Sequence, residues 1–239
     1  MDKQAKQEKI VDMFNNISGT YDTANRVMSF GVDTVWRKKA CDLAYKYYDT
    51  KEIDSIVDVA CGTGDMISYW LRRAQYHSID IKNIKGVDPS VGMMEVGKKK
   101  LPQVEFIEAG AAELPLEDNS ADIISITYGI RNVMDRVEAL HEFNRVLKKD
   151  GLLVILEFTK NEDGGLLPTL RDFYMKNFLP VIGGLISKDK DAYTYLPDSI
   201  EGFLTQSMLV DELDEAGFDM LYLKGFSMNI SSLFIAKKR

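Results

Sequence analysis

A chain of 239 residues, 45% hydrophobic and 28% charged, has the length for one sizeable folded domain and too little for two. Its net charge of −7 and pI of about 5.0 make a nucleic-acid backbone an unfavourable partner. Two cysteines of different context (Cys41, Cys61) and two histidines (His77, His141) form no disulfide framework and no cluster with metal-ligand spacing, so no metal is expected and a reducing cytoplasmic setting is the simpler one.

The first nine residues are charged and unlike a secretory leader. Residues 3–48 show no strand pattern and predict two helices around a polar loop, Ser18 to Arg26, with Ile10, Met13, Phe14 and Ile17 on one helical face. From Ile53 onward short apolar runs alternate with helical stretches. Strands are predicted over 56–60, 84–87, 104–109, 123–128 and 152–158, and helices over 65–73, 91–100 and 136–147. Strands apolar on both faces, separated by helices, imply a mostly parallel sheet covered on both sides, an α/β fold. Residues 161–205 carry Gly and Pro punctuation around an apolar patch, Leu166 to Ile186, and predict a lid or insertion with flexible glycine pairs at 164–165 and 183–184. A helix over 209–216, capped by Gly217, precedes strands at 220–225 and 232–236, which bring the sheet to seven strands. No apolar run approaches the length of a membrane span.

The informative stretch is Val57-Asp58-Val59-Ala60-Cys61-Gly62-Thr63-Gly64-Asp65, where a strand ends and a helix begins. Gly62 and Gly64 allow a sharp turn and close approach of a ligand, Thr63 adds a hydroxyl, and the helix start offers free N–H groups. A dinucleotide turn wants a third glycine at position 67, which is Ile67, and an acid beside the turn disfavours pyrophosphate. Asp58 suits an ammonium group instead, and S-adenosylmethionine (SAM) carries an ammonium and a carboxylate on its methionine end. Asp88 ends the next strand, 24 residues beyond Gly64, where it can accept from both ribose hydroxyls; the blander alternative is a turn-starting aspartate. Gly110-Ala111 stands where a loop can flank adenine, and Thr127-Tyr128-Gly129 lies at a carboxyl edge of the sheet.

These residues, with Ala112-Glu113-Leu114-Pro115, Tyr128-Gly129-Ile130-Arg131-Asn132-Val133, Arg145-Val146-Leu147-Lys148 and Leu156-Glu157-Phe158, resemble the quinone-biosynthesis C-methyltransferases. The N-terminal match runs through Met13-Phe14, Tyr21-Asp22, Asn25 and Met28-Ser29-Phe30-Gly31 to Trp36-Arg37, and the C-terminal match includes Tyr193-Thr194-Tyr195-Leu196, Ser199-Ile200 and Ala216-Gly217-Phe218. The resemblance implies a Rossmann-like class I methyltransferase fold over 1–239, with a helical cap at 1–50, a cofactor-binding core at 53–160, a substrate lid at 161–205 and a C-terminal helix and strands at 206–239. It implies SAM-dependent methylation of a prenylated quinol, demethylmenaquinol to menaquinol, with an ubiquinol precursor as the alternative acceptor. By position, cofactor contacts fall on Thr63, Asp88, Gly110, Ala111 and Thr127, beside Asp58, Gly62 and Gly64. Two departures stand out: Gly110 where the family usually has Asp or Asn, and Asp33 where it usually has His before the Trp-Arg pair.

On those motif positions Arg131 is the leading candidate to stabilise a developing phenolate or polarise a proton-accepting water, Tyr21 and Asp22 to close over the substrate, and Asn132 to hold the ring. The blander alternatives are an Arg131–carboxylate pair and a turn with a helix cap at Tyr21-Asp22. Cys61, Trp36, Trp70 and His141 are expected to be structural. The apolar patch at 166–186 suits core packing and a polyprenyl channel equally. Rival functions are methylation of another small phenolic acceptor, a nicotinamide-dependent oxidoreductase, and a cofactor-binding protein without turnover. A cytoplasmic protein is expected, with peripheral contact at the inner membrane face and a homodimer left open.

Overall fold

In the computed structural model, which describes residues 2–160, 190–227 and 229–239, three helices precede the first strand: α1 (Lys3–Ile17), α2 (Tyr21–Met28) and α3 (Asp33–Tyr48). The core then runs β1 (Glu52–Val59), α4 (Asp65–His77), β2 (Asp80–Asp88), α5 (Val91–Lys100), β3 (Glu105–Glu108), β4 (Ala121–Thr127), a 3-10 turn (Ile130–Asn132), α6 (Arg136–Val146) and β5 (Leu147–Glu157). Beyond residue 189 come α7 (Lys190–Glu201), α8 (Gln206–Glu215), β6 (Phe218–Phe226) and β7 (Ser231–Lys238).

The seven strands pair in the order β3-β2-β1-β4-β5-β7-β6. Pairing is parallel from β3 through β5, and β7 runs antiparallel to both β5 and β6. The central strands are buried on both faces. On one face Ile56, Ile123, Leu152 and Val154 meet Ala40 and Ala44 of α3 and Ile67 and Trp70 of α4. On the other, Val57, Ile124, Ile126 and Ile155 meet Leu140 and Phe143 of α6 and Leu209 and Leu213 of α8. That double burial explains why these strands read as unbroken apolar runs. The chain leaves β1 toward β2 on one side and reaches β4 on the other, so a crevice opens beyond their carboxyl ends, where open α/β sheets bind ligands.

The polar stretch at Ser18 to Arg26 is a correction to the sequence expectation: from Tyr21 onward it is helical, and three helices rather than two precede β1. α2 is short and has little helix-forming strength of its own; it is held because Ala24 and Met28 bury against Ile17 amid Met13, Phe14, Tyr21 and Leu196. β1 and β2 also begin earlier than their apolar runs, since the pairing register continues from Glu52 opposite Asp80, with Lys82 bonded to Asp54 at 2.8 Å. The predicted patch at 166–186 and both glycine pairs lie outside the described residues; of the predicted insertion, α7 and the link to α8 are described. Among the described residues no helix is long and apolar enough to cross a membrane, and no group of His, Cys, Asp and Glu could hold a metal ion.

Candidate functional site

The crevice is built by two strained turns. Ala60 follows β1 with φ +49° and Tyr128 follows β4 with φ +58°, a region that costs a residue with a Cβ roughly 1–3 kcal/mol. The turns touch: a Cβ on Gly129 would stand 2.5 Å from the Ala60 Cβ. After Ala60 the chain takes left-handed conformations again at Gly62 (φ +53°) and Gly64 (φ +72°), and α4 begins.

Two carboxylates converge at this edge. Asp58 is 1% exposed and accepts from Ser125 Oγ at 2.6 Å, which in turn accepts from Trp70 Nε1 at 2.9 Å. Burial pushes its carboxyl up to about 7, against the Ser125 bond and the Arg37 charge. Asp88 accepts from the Gly62 amide through Oδ2 and from the Ser90 amide through Oδ1, each at 2.7 Å. Those two bonds partly offset burial, which pushes Asp88 up to about 6. Burial raises the Cys61 thiol well above its ordinary value, which leaves it neutral and inert.

A cavity of about 210 Å³ covers this edge. Asp58, Gly62, Thr63, Asp88, Gly110, Ala111 and Thr127 all line it, while Gly64 shapes the turn from outside the lining. Helix α1 supplies the opposite wall through Ile10, Val11 and Phe14, and is pinned there by Asn15, whose Oδ1 accepts from Ser90 Oγ at 2.7 Å and the Gly92 amide at 2.9 Å. Gly110 is exposed and a Cβ there would meet nothing within 4 Å, so the glycine leaves open the space an Asp or Asn would fill.

A second cavity, of about 260 Å³, adjoins the first and shares Phe14, Tyr21, Arg37 and Tyr128 with it. Its wall is mostly apolar, including Ile17, Met28, Trp36, Phe158 and Ile230. Arg131 lines it too. The Arg131 side chain is 5% exposed and pairs with the fully buried Glu157 at 2.6 Å, so the carboxylate pair foreseen as the blander alternative is present. Its Nη1 also donates to the Tyr128 carbonyl at 2.6 Å and its Nε to Ser199 Oγ at 3.2 Å.

The remaining sequence candidates separate. Tyr21 lies between the cavities, edge-on to Phe14, and burial raises its hydroxyl above the ordinary tyrosine value. Asp22 lines neither cavity; it accepts from Thr63 Oγ1 at 2.6 Å and Lys100 at 2.7 Å, fastening α2 to the glycine turn and α5. Asn132 faces the first cavity, with Oδ1 accepting from Tyr195 at 2.9 Å. Asp33 is buried beside the second cavity, accepting from Ser29 Oγ at 2.7 Å and pairing with Arg26. Sequence reasoning missed Arg37, Ser125, Trp70 and Asn15 as site components. Only the Trp-Arg motif hinted at one of them, because each acts across a distance of many residues.

The ubiE/COQ5 methyltransferase family model matches residues 2–238. The chain is 60% identical over 233 residues to the ubiquinone/menaquinone biosynthesis C-methyltransferase UbiE of Campylobacter jejuni, covering 98% of this chain and 99% of that one. It is 37% identical over 223 residues to the demethylmenaquinone methyltransferase of Thermotoga maritima, covering 93% of each. Among solved structures, a SAM-dependent methyltransferase of Thermotoga maritima superposes with a TM-score of 0.61 at 21% identity, over 96% of this chain and all of that one. The [4+2]-cyclase SpnF superposes equally well (TM-score 0.61, 18% identity, 84% and 80% coverage), so the fold alone does not settle the reaction.

Proposed function

The chain belongs to the ubiE/COQ5 methyltransferase family, and from that premise we propose that it methylates a ring carbon of a prenylated quinol, taking demethylmenaquinol to menaquinol. The observation that carries the reading is the pair of adjoining cavities, one edged with carboxylates at the sheet's switch point and one apolar, which share Phe14, Tyr21, Arg37 and Tyr128.

The first cavity fits SAM. Ionised Asp58 offers a partner for an ammonium, and Asp88, oriented through two backbone amides, keeps lone pairs for a ribose diol. Gly62 and Gly64 keep Cβ atoms out of the turn, and Gly110-Ala111 edges the side where adenine would lie. An acidic lining also suits a cofactor whose net charge is positive. When bound, SAM supplies an electrophilic methyl group on a sulfonium.

The chain's own residues do the rest. The apolar wall of the second cavity holds a quinol ring and excludes water, which strengthens every charge interaction inside. A quinol ring carbon becomes nucleophilic as the neighbouring hydroxyl loses its proton. Arg131 cannot take that proton, since a guanidinium stays charged, but it can polarise a single held water that does. It stabilises the resulting oxyanion, held in place by Glu157, Ser199 and the Tyr128 carbonyl. Tyr21, kept neutral by burial, stands at the boundary as a hydrogen-bond donor. Asp22 serves closure through Thr63 and Lys100 instead of touching the ring, and Asn132 steadies α7 through Tyr195. Peripheral membrane contact, where a prenylated substrate resides, and a homodimer belong to this proposal.

The test is methyl transfer from labelled SAM to chemically reduced demethylmenaquinol, with the oxidised quinone as control. Label in the quinol alone supports the reading. No transfer, with SAM binding verified by calorimetry, redirects the acceptor to ubiquinol precursors.

A further inference from the structure

We propose that Arg37 is the anchor for the carboxylate of the methyl donor. The inference rests on the donor being SAM. Asp58 and Asp88 account for its ammonium and its ribose, but its carboxylate must also enter a cavity lined by Asp58, Asp65, Asp88 and Asp135. An anion placed among four acids needs a cation, and among the described residues Arg37 is the one basic side chain in that lining.

Its bonding state fits the role. Arg37 is 5% exposed, and its Nε is a buried polar atom without a hydrogen-bond partner. The carboxylates of Asp33 and Asp65 lie 3.5 and 3.4 Å from Nε, but Arg26 pairs with the same oxygens. The two aspartates thus compensate the Arg37 charge while Arg26 takes their hydrogen bonds. The guanidinium rests over the Tyr128 ring at 5.2 Å, at the boundary of the two cavities. A buried guanidinium with an unspent donor is costly unless a ligand uses it, and a carboxylate matches its planar fork. Lys100 is already committed to Asp22 and Thr63.

The experiment is isothermal titration of the full chain with SAM and with decarboxylated SAM, which lacks only the carboxylate. The wild type is expected to prefer SAM by roughly 10- to 150-fold, the range for a charge-assisted hydrogen bond. Arg37→Gln is expected to reduce that preference to within about threefold, with decarboxylated SAM bound as before. A purely structural role would weaken both ligands together and leave the ratio intact. If Arg37→Gln does not fold by circular dichroism, Arg37→Lys keeps the charge without the fork, and its ratio is expected to fall at least fivefold below the wild-type ratio. A wild-type ratio near one overturns the proposal, as does an unchanged ratio in the variant that folds. A wild type that binds neither compound refutes instead the reading that SAM is the donor.

Discussion

Replacing Asp58 with asparagine separates what the fold prefers from what the site needs. The side chain is 1% exposed, and burial moves its carboxyl from 3.8 to about 7. At about 1.4 kcal/mol per unit, that displacement corresponds to roughly 4 kcal/mol of lost folding free energy once the group is ionised. The sign follows from linkage. The unfolded chain gives up this proton near 3.8 and the folded chain only near 7, so unfolding releases a proton between those values. Stability therefore falls as pH rises through that window and is level above it. Asparagine carries no such penalty and keeps an acceptor for Ser125 Oγ, which donates to Asp58 at 2.6 Å. Relative to wild type, Asp58→Asn is expected to gain up to about 4 kcal/mol at pH 8 and less than half of that at pH 5. Urea unfolding of both proteins at the two pH values, followed by circular dichroism, reads the difference. A gain that is equal at both pH values, or a loss at pH 8, would refute the argument that ionised Asp58 is held at the expense of stability.

The same carboxyl sets a pH profile for the donor: wild-type affinity for SAM should rise as Asp58 ionises, about tenfold per unit below pH 7, and fall again above about pH 8 as the donor's ammonium deprotonates. Calorimetry from pH 5.5 to 9 reads this bell, whose acid limb should be missing in Asp58→Asn. Arg131→Met leaves Glu157 buried and unpaired and should cost about 3–5 kcal/mol in urea, much of it recovered by adding Glu157→Leu; a mild single-variant loss would mean that the pair is dispensable. Gly129→Ala places a Cβ 2.5 Å from the Ala60 Cβ and should destabilise by about 1–3 kcal/mol, whereas Gly110→Ala, with nothing within 4 Å, should unfold like wild type. Equal unfolding midpoints for the two glycine variants would contradict the close contact of the two strand-end turns.

The cofactor edge was legible because its parts are local. A strand, a glycine turn and a helix start are consecutive in the chain, so Asp58, Gly62 and Thr63 had to lie together, and the β-α-β repeat brought Asp88 beside them, its Oδ2 2.7 Å from the Gly62 amide. The N-terminal helices were less legible. A polar octapeptide such as Tyr21–Met28 has no strong helical preference, and it becomes a helix because Ile17, Phe14 and Leu196 surround its one apolar face. Asp22 looked like a substrate-facing residue and turned toward Thr63 and Lys100, partners 41 and 78 residues away that no spacing rule connects to it.

By itself, then, the sequence determined the α/β class, the switch-point turn with its acids, and the chemistry those acids invite, since all depend on short-range backbone geometry and residue type. Tertiary structure alone decided the states of the charges. It placed Arg26 on the oxygens that Arg37 would otherwise take, buried Glu157 under Arg131, and ran a hydrogen-bond chain from Trp70 through Ser125 to Asp58. The physical reason is that ionisation and donor capacity depend on burial and on partners many residues distant, and only the folded packing of helices on the sheet brings these to a given side chain.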